Sequence, residues 1–224
     1  MESVNKSARL NQKGFVASPP IIIGGIIALI VIFFLATGSF KFSAKVDQPN
    51  QDQAATTETA VEETPTPSPV STSNFKTFTN EGMNISFEYP EEWLIQEGSN
   101  NVTIALLKEG STKNAEAVIT AAKGPLAGAK GLQFASVADL QKVNIKKEFN
   151  VTDFTLDEKA EISGREARLL GFDGTISGNP LTGRYLTTID EDNLYALTVV
   201  TDRDKWSKHA ADLQKVLDSF RLLK

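Results

Sequence analysis

The sequence predicts an α/β (α+β) domain, an antiparallel β-sheet sandwiched by helices, preceded by one transmembrane helix and a disordered linker. Three observations predict it. Several segments between 83 and 201 alternate apolar and polar residues, joined by short turn-rich connections. Two segments instead carry helical signals, one of them a clear apolar stripe near the C-terminus. Ahead of all of them stands a run of twenty residues without a charge, Ile21 to Phe40.

That run reads IIIGGIIALIVIFFLATGSF. At about 1.5 Å per residue it reaches roughly 30 Å, the thickness of a bilayer's hydrocarbon core. Gly24 and Gly25 are tolerated in lipid, and Pro19 and Pro20 fall at the helix start, where missing amide donors cost little. Lys6, Arg9 and Lys13 precede the span; Lys41 and Lys45 follow it, ahead of an acidic stretch. The bias puts residues 1–20 in the cytoplasm and the main domain on the extracytoplasmic side of the cell membrane, a single-pass signal-anchor arrangement. Two alternatives stand beside it. Ala36-Thr37-Gly38 is a small-residue site for a cleaved signal peptide, although the run exceeds a typical h-region. Lys13-Gly14-Phe15 resembles a prepilin cleavage context, with Pro19 where that family expects Glu.

Residues 41–74 are rich in Gln, Thr, Ser, Pro, Glu and Ala and include the alternating run Thr64-Pro65-Thr66-Pro67-Ser68-Pro69. Such a segment forms neither helix nor central strand and buries too little apolar surface to offset its chain entropy, so it is expected to be a disordered spacer. As a flexible coil it would span about 30 Å. Ser73-x-x-Lys76 matches an acyl-transferase pattern, but its companion motifs are missing and the match is read as chance.

Residues 75–224 form the folded domain, long enough to bury roughly 68–70% of their unfolded surface. Met83, Ile85, Phe87 and Tyr89 alternate with polar residues as a strand. Val102–Leu107 and Ala115–Ala122 follow, divided by a turn at Gly110-Ser111. Ser136 to Asp139 opens in capping-box fashion a helix to about Phe149. Phe154, Leu156, Ala160 and Ile162 share one strand face, interrupted by Glu158. Arg165–Ile176, Leu181–Ile189 and Leu194–Thr201 complete the strands, joined as hairpins through Ser177-Gly178-Asn179-Pro180 and Asp190-Glu191-Asp192-Asn193. The last is apolar on both faces and is expected at the sheet's centre, with cover on both sides. Trp206, Ala210, Leu213, Leu217 and Phe220 mark the final helix, with Asp202 or Asp204 as its cap.

Composition bounds the chemistry. The chain has no cysteine, one histidine and a net charge of −5. Disulfides, thiolate metal sites and cysteine nucleophiles are excluded, and no basic cluster suggests a nucleic-acid partner. His209 lies at the border of the last helix's apolar stripe and reads as structural. Asp190, Glu191 and Asp192 are weak candidates for a hard cation, although their spacing matches no calcium loop. Glu91 and Glu92 read as an exposed turn beside a buried Trp93. The loop from Lys123 to Gly131, with Gly124, Gly128 and Gly131, reads as a mobile crossover or contact surface rather than a phosphate loop.

The opening Gly82-Met83-Asn84-Ile85-Ser86-Phe87-Glu88-Tyr89-Pro90-Glu91-Glu92-Trp93 resembles the start of the PsbP family, a Gly-led strand ending in Tyr-Pro-x-x-Trp. The closing Asp204-Lys205-Trp206 and Leu213 to Phe220 are similar to that family's last helix and terminal Ser-Phe. The resemblance covers about residues 75–222. It implies a PsbP-like α/β/α sandwich in a family whose named member is a non-enzymatic assembly subunit at the lumenal face of the oxygen-evolving photosystem. Calcium or manganese enters by that resemblance alone. Here a membrane helix and acidic stalk replace that subunit's docking extension, so only the fold and the binding-module class carry over. The expected function is thus a non-catalytic, membrane-anchored binding or assembly module with a protein partner. The alternatives are an enzyme with an unrecognised carboxylate site and a pilin-like surface or secretion component.

Overall fold

The computed structural model describes residues 73–111, 114–126 and 129–223. The expected cytoplasmic tail, the membrane span Ile21–Phe40 and the linker up to residue 72 lie outside the described residues. So do both alternative cleavage contexts. Among the described residues no helix is long and apolar enough to cross a membrane.

In chain order the elements are β1 (Phe75–Asn80), β2 (Ile85–Pro90), β3 (Leu94–Glu97), β4 (Asn101–Leu107), β5 (Ala115–Pro125), α1 (Phe134–Glu148), β6 (Asp153–Ile162), β7 (Arg165–Ile176), β8 (Asn179–Ile189) and β9 (Asn193–Asp202). A single 3-10 turn, Arg203–Lys205, leads into α2 (Trp206–Ser219), and β10 (Arg221–Leu222) follows. Seven strands make one antiparallel sheet in the order β3-β4-β5-β9-β8-β7-β6. Three more, β1-β2-β10, make a second sheet.

The position of β9 follows from its side chains. It is the middle strand of the seven, and eight of its ten residues are buried. Tyr195, Leu197 and Val199 enter the core under α2 with Ile104, Ile119, Leu213 and Leu217. Ala196 and Val200 enter the opposite core with Leu170, Phe172, Ile145 and Phe149. A strand apolar on both faces is stable only where both are covered, and the middle of a sandwiched sheet is that place.

The β6–β7 and β7–β8 hairpins close through the pairs Ser163-Gly164 and Ser177-Gly178, with φ of 51° and 78°, and 50° and 84°. Two successive left-handed residues match the right-handed twist of paired strands, which is why tight hairpins use them. Pro180, read from sequence as part of a turn, lies inside β8 opposite Thr175.

Several expectations need correction. The strand from Met83 to Tyr89 does not join the main sheet. It is the centre of the small sheet, with Phe87 between Phe78 (ring centroids 5.3 Å) and Phe220 (6.2 Å). The 83–89 pattern specified a strand but not its partners, and the flanking β1 and β10 carry too little periodicity to announce themselves. Phe154 does not share a face with Ala160 and Ile162. A bulge between Phe154 and Leu156 turns it toward the α1 side, while Ala160 and Ile162 face the core under α2. The capping box at Ser136 is not formed. The helix begins at Phe134 after an extended Gln133 without a side-chain cap, because burial of Val137 and Ala138 sets its first turn. Asp202 and Asp204 do not cap α2, whose N-cap is Lys205. Asp202 pairs instead with Lys108 at 2.6 Å. Lys123 to Pro125 continue β5 against β9, and Leu126 and Ala129 beyond them are buried, so these described residues are anchored rather than part of a loose crossover.

Candidate functional site

The acidic triplet of the β8–β9 hairpin is spent on the hairpin itself. Asp190 accepts hydrogen bonds from the backbone N–H of Asp192 (2.9 Å) and Asn193 (2.7 Å), from the Asn193 amide (3.2 Å) and from the Tyr195 hydroxyl (2.6 Å). Burial opposes its charge, but these donors hold the carboxyl below its ordinary range. Burial and the neighbouring carboxylate push the Tyr195 phenol up to about 12. Asp192 turns away to Lys130 at 2.6 Å. A hard cation needs six to eight oxygens aimed at one point. Asp190 already has its oxygens occupied and Asp192 points elsewhere, so the triplet does not fit calcium or manganese. Among the described residues no group of three or more His, Asp and Glu could hold a metal ion.

His209 sits in a polar contact that the sequence did not reveal. The β4–β5 ladder slips between Leu106 and Leu107, which pair with Ala117 and Ala115 and leave Glu116 unpaired as a bulge. Its carboxylate reaches α2. The His209 Nε2–H donates to Glu116 Oε1 at 2.6 Å, and Lys208 Nζ donates to the same oxygen at 2.9 Å. Those bonds, Lys208's first and His209's second, hold the Glu116 carboxyl below its usual range. Trp93 packs edge-on against the imidazole, with centroids 6.1 Å apart. His209 is only 5% exposed. It orients the Glu116 carboxylate and helps to seal the core under α2. The missed signal was an even-numbered Glu in β5 whose facing only the bulge could decide.

The remaining candidates fall apart in space. Glu91 pairs with Lys76 at 2.8 Å in an exposed turn beside the buried Trp93. Ser73 donates to Asp212 at 2.7 Å, so Ser73 and Lys76 serve different partners.

Recesses lie at two places on the described surface. A cavity of about 70 Å³ lies where β5, β7, β8 and β9 end, floored by Val118, Ile176, Leu181 and Val200 and rimmed by Asn114, Asn179 and Asp202. That is well below the volume of a typical small-molecule pocket. Next to it a wider surface depression is lined by Asn179, Pro180, Asp202, Arg203 and Asp204. A cleft of about 220 Å³ separates the β6 edge from α2.

Comparison with known proteins agrees with the architecture. The PsbP-like protein family matches residues 23–222, and this chain belongs to it. Among solved structures, the solution structure of cyanobacterial PsbP (CyanoP) from Synechocystis sp. PCC 6803 is similar at 13% identity and a TM-score of 0.50, covering 68% of this chain and 95% of that one. LpqN of Mycobacterium tuberculosis, described as involved in cell envelope biogenesis, is 15% identical at a TM-score of 0.48, covering 62% and 83%. PA94 of Pseudomonas aeruginosa, a putative regulator by its own description, is 18% identical at 0.45, covering 64% and 93%. No curated protein matches the chain. At 13% identity the likeness to cyanobacterial PsbP is one of fold alone.

Proposed function

We propose that this chain is a membrane-tethered, extracytoplasmic binding or assembly module without catalytic activity. Ile21–Phe40 is its anchor, residues 41–74 its stalk, and the PsbP-like domain its contact surface for a protein partner. The observation that carries the reading is the order of the chain: a twenty-residue uncharged run, then a proline-rich spacer, then the domain. The family match begins at residue 23, inside the apolar run, which supports treating that run as part of what the family shares. The geometry supports the rest. Asp190 and the His209 imidazole are committed to internal hydrogen bonds.

The test uses the full chain in intact cells. It should sediment with membranes, resist carbonate extraction and yield its domain to external protease. Site-specific crosslinkers on the domain surface should then trap the same protein in repeated trials. Recovery of the intact chain in the soluble fraction after gentle lysis rejects the anchor; protection from external protease rejects the orientation.

A further inference from the structure

The sequence holds four Asn-x-Ser/Thr triplets, at Asn5, Asn84, Asn101 and Asn150, none with proline in the middle. Such a triplet is an acceptor for transfer of an oligosaccharide to the asparagine amide, and it serves where the asparagine and the hydroxyl residue are both reachable. Asn5 falls in the expected cytoplasmic tail, outside the described residues. The fold separates the other three. Asn84-Ile85-Ser86 runs into β2, where Ser86 is 6% exposed and donates to the Phe78 carbonyl at 3.0 Å. Asn101-Val102-Thr103 lies in β4, between β3 and β5, with Thr103 2% exposed. Asn150-Val151-Thr152 is different. It links α1 to β6, and both Asn150 and Thr152 are exposed. Val151 is buried and its N–H donates to the Lys146 carbonyl at 3.0 Å, so the link is pinned at its middle residue and its two polar neighbours stay at the surface. Asn150 has a φ of 42°, in the left-handed region that asparagine tolerates. Its Nδ2 donates to Thr175 Oγ1 at 3.1 Å, and Thr152 Oγ1 donates to the Asp173 carbonyl at 3.4 Å, both exposed bonds that open easily. Glu148 stands two places before Asn150, a charge beside the acceptor where the triplets at Asn84 and Asn101 have Gly82 and Ser99.

We propose that Asn150 is a site of N-linked glycosylation. The Asn150 amide nitrogen attacks C1 of the first sugar of an oligosaccharide carried on a polyprenyl diphosphate. The C1–N bond forms, the C1–O bond to the diphosphate breaks, the lipid diphosphate leaves, and the nitrogen gives up one proton. The partner is a membrane-bound oligosaccharyl transferase on the extracytoplasmic side, which a domain tethered there can reach. Thr152 supplies the hydroxyl that the transferase reads beside the acceptor. The Asn150 turn follows α1 on one face of the main sheet, whereas Ser73 brings the chain in at Asp212 of α2 on the other. A glycan at Asn150 therefore leaves the entry of the stalk clear. This proposal rests on the extracytoplasmic placement of the domain and adds a modification to it.

The experiment uses the full-length chain isolated from the membranes of the cells that produce it, with digestion by external protease on intact cells as the measure of orientation. Trypsin cuts after Lys147 and Lys159, so residues 148–159 leave as one peptide whose mass reads the site. That peptide should carry the added mass of whole sugar units on Asn150. Asn150→Gln should remove it. Thr152→Val, which keeps the asparagine, should remove it as well, and Thr152→Ser should retain it. Asn84→Gln and Asn101→Gln should leave it unchanged. The proposal is overturned if the peptide is bare in a chain whose domain external protease digests, if the sugar survives Asn150→Gln, or if it sits on Asn84 or Asn101 instead. A domain protected from external protease overturns the placement, and this proposal with it. A bare peptide on an accessible domain removes this proposal alone.

Discussion

Glu148, at the end of α1, shows how one side chain sets the pH behaviour of the domain. Burial raises its carboxyl to about 7, and Lys147 only partly offsets this. An unfolded glutamate titrates near 4.3. Between those values the folded chain holds a proton that the unfolded chain has released, so stability is full below about pH 4 and declines as pH rises toward 7. Asp157 acts in the opposite sense. Its bond to Arg168 comes first, and with Lys142 it holds the carboxyl near 2 despite some burial. The stability it contributes is present above about pH 4 and is lost as pH falls toward 2. The two slopes oppose each other. Glu148→Gln should raise stability at pH 8 by about 1 kcal/mol, less than the full shift implies because the carboxyl still reaches water. It should also flatten the decline between pH 4 and 7. Urea titrations across pH read both; an unchanged profile refutes the assignment.

Between elements, one close approach joins α1 to β7. The helix ends at Phe149, whose carbonyl accepts the Thr175 N–H at 2.7 Å. Its ring lies 4.9 Å from that of Phe172. Gly174 makes this possible, since a Cβ there would stand 2.3 Å from the Phe149 carbonyl oxygen. Gly174→Ala must push the helix end off the sheet and should cost about 1–3 kcal/mol. Calorimetry would register it as a lower Tm, and exchange at the α1 amides should accelerate more than at α2. Equal effects on both helices would show that the contact is not local. The edge strand β6 obeys a different rule. Its charged side chains discourage unspecific edge pairing.

Over the whole molecule, the two sheets form one unit because the last helix packs on both. Phe220 closes α2 against Phe87 of the small sheet, and β10 adds Arg221 and Leu222 beside β2. The start of the domain, β1, lies on the other side of β2. Phe220→Ala should therefore cost about 3–5 kcal/mol and lower the stability of both sheets together. Two separated unfolding transitions would contradict that coupling. The sequence alone determined the order of the larger strands and the two helices, the two hairpins after β7 and β8, the central place of β9 and the family itself. Each of these is written in local periodicity, turn residues or short terminal motifs. Tertiary structure alone decided which strands left the main sheet, where bulges turn Phe154 and Glu116, and that His209 meets a carboxylate from β5. It also decided that Asp190 serves its own turn and that the β6 edge stays open. A period of two tells which residues share a face, but one inserted residue reverses that face, and partners distant in sequence leave no trace in local pattern.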